Sequence, residues 1–163
     1  MSDMLQAALI DALDDQLRRS MEGEAWHGPS VREALEGVTV EEASAHPIPG
    51  AHSIRELVLH IAAGNQLVLR RLEGDGRQLS PEEDWPTPAE ATEDAWQRDV
   101  ESLFALSQRL REAVATFPAE RLDDPLVPQP PYSAFTQFIG LTQHDLYHAG
   151  QIVLLRRLLG HGH

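Results

Sequence analysis

The chain contains no cysteine. Disulfides and thiolate ligands are excluded together, so a metal must be held by imidazole and oxygen donors. Any thiol chemistry must likewise use a thiol brought in by a cofactor or substrate. Basic residues are scarce, 13 against 26 acidic ones, for a net charge of −13. A field of that sign repels phosphate backbones and anionic membrane surfaces, which argues against nucleic-acid and membrane partners. No apolar run approaches the roughly 18 residues needed to span a bilayer. The segment from Met1 to Asp15 carries aspartates and no basic leader, so it does not read as a signal peptide. A soluble cytoplasmic protein is the expectation. No stretch alternates with the two-residue period of a half-buried strand, which argues against a sheet.

What remains is enough for one helical domain. A chain of 163 residues has the size of a single domain and buries about 70% of its unfolded surface, so it needs no staple. The expected domain covers residues 1–160, with a frayed, solvated tail at 161–163 that holds His161 and His163. Four long stretches read as helices. The first runs from about Asp3 to Met21, with Leu5, Leu9, Leu13 and Leu17 on one face. The second starts at Ser53, where Glu56 completes a capping box, and stops at Gly74 and Gly76. The third is predicted from the capping box Thr87-Pro88-Ala89-Glu90, carries Trp96, Leu103, Leu110 and Val114, and ends before Pro118. The fourth runs from near Ser133 to about Leu159, with Gly160 as its stop. Two short helical candidates lie between the first pair, each with its own capping box, at Ser30 with Glu33 and Thr39 with Glu42. The acidic run Glu82-Glu83-Asp84 and the proline-rich stretch Leu122 to Pro131 read as loop. The fold class is all-α, a four-helix bundle with long connections.

Eight histidines supply the chemistry. His144 and His148 stand at i and i+4 in the most apolar helix, where vertical neighbours can converge on one ion. Burying two imidazoles among Phe138, Leu141 and Ile152 is costly unless their nitrogens find partners. His60 lies in another apolar helix, and a bundle builds metal sites from inward residues on facing helices. Three neutral imidazoles suit Zn, Ni or Fe(II) and leave a coordination position open. On the residues alone a second reading stands beside this one, in which His60 is a core histidine bonded to a backbone carbonyl and the pair bonds to its neighbours.

The segments Trp26-His27-Gly28-Pro29-Ser30, His52-Ser53-Ile54-Arg55-Glu56-Leu57-Val58-Leu59-His60-Ile61 and His144-Asp145-Leu146-Tyr147-His148-Ala149-Gly150-Gln151-Ile152 resemble the DinB/YfiT-like superfamily. The likeness runs from about Leu5 to Leu159. It implies a four-helix bundle of a metalloenzyme type, with one divalent metal on His60, His144 and His148. Relatives usually carry a second histidine and an arginine before the Gly-Gln pair. Tyr147 and Ala149 stand there in this chain, so the ligands are kept and a basic neighbour is not. The resemblance also implies a thiol-dependent S-transferase acting on small electrophiles, with a low-molecular-weight thiol as co-substrate and a metal-bound thiolate as nucleophile. A hydrolase of small amides or esters using metal-activated water is the alternative enzyme. A non-catalytic, metal-stabilised dimeric binding or stress-response protein is the alternative outside enzymes. A homodimer is expected, drawing on Leu155 and Leu159 as outer positions of the last helix.

Around the ligands, Tyr147 is the candidate proton donor and Gln151, one turn beyond His148, the candidate orienting residue. Trp26 and His27 are candidates to wall the pocket mouth and bind the cofactor. Asp145 points about 100° away from His144 and reads as a solvent or interhelix contact rather than a general base. Trp85, among acids and prolines, is a candidate lid or dimer contact. Gly64 and Gly150 lie within a turn of proposed ligands, where glycine costs roughly 1 kcal/mol against alanine, so space or close packing must offset it.

Overall fold

A computed structural model of the chain describes residues 3–160, and the tail histidines His161 and His163 lie outside them. The helices are α1 (Asp3–Glu22), α2 (Val31–Leu35), α3 (Val40–Ser44), α4 (Ile54–Leu72), α5 (Pro81–Asp84), α6 (Glu93–Ala115) and α7 (Ala134–Leu158), with a 3-10 turn at Ala119–Arg121. No strand occurs among the described residues, and no helix there is long and apolar enough to cross a membrane. The four long helices form the bundle. α4 packs on α6 and α7, and α1 packs on the same two. Thus α1 faces α4 across one diagonal and α6 faces α7 across the other. Each diagonal is bridged by a long connection, which a simple up-down hairpin would not need. The first carries α2 and α3, which pack on neighbouring bundle helices.

The helix starts follow local chemistry. Ser30, Thr39 and Ser53 each accept from the amide three residues on, and Glu33, Glu42 and Glu56 reach back to the cap amide. Gly74 and Gly160 adopt φ of +88° and +98° just past α4 and α7, a conformation that favours glycine.

Four expectations are corrected. The third long helix begins at Thr92, whose hydroxyl accepts from the Ala95 amide, and not at Thr87. The buried Arg55 guanidinium donates to the carbonyls of Ala89 and Glu90 at 3.3 and 2.9 Å and to Asp99 at 2.6 Å. That pairing holds the Thr87 segment extended over α4, so a tertiary contact overrides a good local cap. Conversely, Glu82-Glu83-Asp84 is helical, because Ser80 and Glu83 form a capping box with Pro81 in the first turn. On α1 the inner stripe is Ile10, Leu13, Leu17 and Met21, while Leu5 is 56% exposed. Steps of four drift from a 3.6-residue helix, and the stripe corrects itself with a step of three. On α7 the exposed leucines are Leu154 and Leu158, whereas Leu155 is buried and Leu159 packs against the core.

The core has two apolar parts. One gathers Met21, Ile61, Leu103, Trp96 and Ile152, the other Leu17, Val68, Leu110, Phe138 and Leu141. Between them each bundle helix contributes a buried polar residue, namely Ser20, Asn65, Ser107 and Asp145. His144 lies at this level, and His60 and His148 adjoin Ile61 and Ala149 at the edge of the first apolar part.

Candidate metal centre

α4 brings His60, and α7 brings His144 and His148, to one place. Their ligand atoms all lie within 4.8 Å of one another. His60 Nε2 and His144 Nε2 are 3.0 Å apart. A tetrahedral ion with bonds near 2.1 Å would set its nitrogen ligands about 3.4 Å from each other. The close pair would open by a few tenths of an ångström, and the widest separation, up to 4.8 Å, would close by about 1 Å. Gly64 clears the space for this approach. A Cβ there would stand 3.3 Å from His144 Cε1 and 3.5 Å from its Nδ1. Nothing lies near the corresponding position at Gly150, and the structure gives no steric reason for that glycine.

Two of the rings are oriented from behind. His60 Nδ1 donates to the Asp84 carbonyl at 2.8 Å, so its Nε2 carries the lone pair. His148 Nδ1 donates to Gln151 Oε1 at 2.6 Å. Such partners fix the tautomer and aim of a ligating imidazole. Burial holds the pKa of His60 below its ordinary value, and pushes that of His148 down to about 4. Both are therefore neutral near pH 7, the form a metal binds. His144 Nδ1, by contrast, is buried without a partner. Three converging imidazoles, a glycine cradle and a neutral donor set fit one divalent ion, so this group could hold a metal.

Trp85, which follows α5, closes one side. Its ring stacks on His60 at 3.8 Å and on His52 at 3.6 Å, making a three-ring sandwich. Trp85, a candidate lid or dimer contact, covers His60 here, and the α5 turn reaches the site through this ring and through the Asp84 carbonyl. Beside the histidines lies a pocket of about 320 Å³, at the small end for ligand sites. Its walls include Ile48, Leu57, Trp85, Tyr147, His148, Gln151 and Leu154, and neither a carboxylate nor a guanidinium lines it. Tyr147 stands at its edge, 66% exposed, with its ring 5.0 Å from that of His148. Trp26 and His27 are not among its walls. They line a separate depression with Thr142 and Leu146, and Trp26 is 92% exposed.

Asp145 is wholly buried on the α1 side of α7, the interhelix contact anticipated for it. Burial raises its pKa, against the opposing pull of His144 and Ser20. The Ser20 hydroxyl has one hydrogen and two neighbouring oxygens, Leu17 O at 3.0 Å and Asp145 Oδ2 at 3.1 Å. The Ser20 hydroxyl hydrogen is shared between these two acceptors, which ties Asp145 on α7 to α1.

The three histidines that the sequence singles out come together, Tyr147 and Gln151 lie beside them, and α5 is an element that was expected to be loop. The signal for α5 was present in Ser80-Pro81-Glu82-Glu83. No local signal marks a carbonyl as a histidine's partner.

Comparison with known proteins agrees with this architecture. A conserved protein from Enterococcus faecalis, solved by crystallography, superposes with a TM-score of 0.53 at 19% identity, covering 97% of each chain. That likeness is one of fold. Among curated proteins none matches. The family model of the DinB superfamily matches residues 25–152, a span that includes all three histidines, and the chain therefore belongs to that superfamily.

Proposed function

We propose that the protein is a divalent-metal-dependent enzyme, a thiol-dependent S-transferase acting on small electrophiles. The observation that carries this reading is the histidine triad with His148 on the wall of a small, mostly apolar pocket; the Asp84 carboxylate, 3.2 Å from His60 Nδ1, stands outside that lining. A divalent ion held by His60, His144 and His148 would supply Lewis acidity, which lowers the pKa of a coordinated thiol or water. Hydrolysis of an amide also asks for a base to take the water's proton and an acid to release the amine. A thiol needs only to lose its own proton, so an apolar wall suits it better. With no cysteine in the chain, the thiol arrives as co-substrate. Gln151 positions His148, and Trp85 and Leu57 exclude water from the apolar side. Tyr147, at the edge, is the proton donor in this reading. All 13 basic residues are arginine and none lines the pocket, so the electrophile is uncharged rather than a carboxylate or phosphate.

Metal analysis and cobalt substitution of untagged protein test the proposal. One equivalent of metal is expected, and it should be lost in His60→Ala. A low-molecular-weight thiol should then change the cobalt spectrum, and a generic electrophile should be consumed only when thiol is present. Stoichiometric metal with no spectral response to thiol would eliminate the transferase. Absence of stoichiometric metal, with His60→Ala unfolding like the parent, would eliminate the site.

A further inference from the structure

The three imidazoles differ in what stands behind them. His60 and His148 each have an oxygen acceptor within 2.8 Å of Nδ1. His144 Nδ1 has none, although it is buried. Across from it, Asp145 Oδ1 is also buried and also without a partner. The two orphaned atoms face each other at 3.8 Å. Buried polar atoms are costly to leave unpaired, and these two stand about 0.9 Å beyond a hydrogen bond. That bond becomes possible once the His144 proton sits on Nδ1 instead of the Nε2 that now meets His60. The other carboxylate oxygen is held by Ser20 on α1 at 3.1 Å.

We infer that Asp145 is a positioning residue for the metal, closing on His144 Nδ1 when the ring turns its Nε2 to the ion. A ligating histidine commonly donates its second nitrogen to a carboxylate, which fixes the tautomer and strengthens the ligand. The inference rests on the metal-binding reading above, and adds that the third ligand is completed by binding while the other two are set beforehand. Through Ser20 it makes α1, which supplies no ligand, part of the metal site.

The test compares zinc affinity and metal-free stability in the full chain. Affinity is read by competition with a chromogenic chelator, stability by thermal melting. Asp145→Leu should bind zinc roughly 10- to 100-fold more weakly. Asp145→Asn, whose amide oxygen still accepts, should lose less, and Ser20→Ala less than Asp145→Leu. Metal-free Asp145→Asn should melt near the parent, because its amide oxygen still meets Ser20 and the bond to His144 is not made there; Asp145→Leu and Ser20→Ala also lose the Ser20 bond and are read on affinity. A merely structural aspartate would give the reverse, a lower metal-free melting temperature with unchanged affinity. Should Asp145→Leu not fold, a crystal structure of the zinc-loaded parent decides, with Asp145 Oδ1 expected about 2.9 Å from His144 Nδ1. A separation still near 3.8 Å overturns the inference, as does parental affinity in both Asp145 variants. A parent that binds no zinc overturns this inference and the metal reading together. A parent that binds while the variants do not differ from it overturns this inference alone.

Discussion

The apolar core around Trp96 and the polar layer beneath it are built by the same four helices under opposite rules. In the apolar part, side chains such as Leu103 and Ile152 need only volume and the right phase, and any neighbour of similar shape will serve. In the polar layer each group needs a particular partner: His60 the Asp84 carbonyl, His148 the Gln151 amide, Asn65 the Ile61 carbonyl. The first arrangement stabilises without specifying chemistry. The second sacrifices stability, since every unpaired atom there costs free energy, and obtains a set of aimed nitrogens. The difference teaches that stability and metal binding are separable in this molecule, and substitutions should move one without the other.

The largest expected effect falls in the apolar part. Phe138 is fully buried and packs edge-on against Phe117 at 5.4 Å. Phe138→Ala should lower stability by about 3–5 kcal/mol in urea denaturation. Zinc affinity of the fraction still folded should stay near parental, because Phe138 lies in the other core from Ile152 and Ala149. A parallel loss of affinity would break the separation.

A smaller effect is expected from pH on the metal-free protein. The folded-state pKa of His148 is about 4 and that of His60 is also lowered, in both cases chiefly by burial. Their unfolded value is near 6.5. Between those limits the unfolded chain binds more protons than the folded one. The stability these neutral rings contribute is full above about pH 6.5 and is lost as pH falls toward about 4. Asp145, whose pKa is raised, works in the opposite sense over part of this interval. Urea midpoints at pH 7 and pH 5 should therefore fall for the parent and fall less for His148→Gln. An equal fall in both would show that His148 is not desolvated as described.

Much of this was legible in the sequence, and the failures share a cause. The four long helices, the boxes at Ser30, Thr39 and Ser53, and the His144–His148 pair follow from local spacing within a helix, whereas His60 joined the pair through the resemblance of the whole chain. Thr87 failed as a helix start because Arg55, far away in sequence, takes the carbonyls of Ala89 and Glu90. The phase of α7 failed at Leu155 because that helix is apolar nearly all round, so its pattern does not mark an outer face. The role of α5 was hidden for a different reason. The group it offers His60 is a backbone carbonyl, which every residue possesses, and the Trp85 stack joins residues with no common periodicity. Spacing finds ligands; it does not find what holds them.

Gly64→Ala should give the smallest effect and the sharpest comparison, because its two consequences have opposite signs. Gly64 lies inside α4, where alanine is favoured over glycine by roughly 1 kcal/mol. The added methyl would stand 3.3 Å from His144 Cε1 and 3.6 Å from Leu141 Cδ2. Leu141 is in ordinary contact, whereas the imidazole must retreat by a few tenths of an ångström. In the metal-free protein that retreat stretches only the 3.0 Å contact of His144 Nε2 with His60, since Nδ1 has no partner. Metal-free Gly64→Ala should therefore melt at or slightly above the parental temperature. In the loaded protein the ring cannot retreat and still present Nε2 to the ion, so zinc affinity should fall by several-fold. A helix glycine kept only for backbone packing would lose stability with and without metal alike, and would leave affinity unchanged. If the variant gains stability and keeps full affinity, Gly64 does not cradle His144, and the polar layer tolerates substitution as readily as the apolar core.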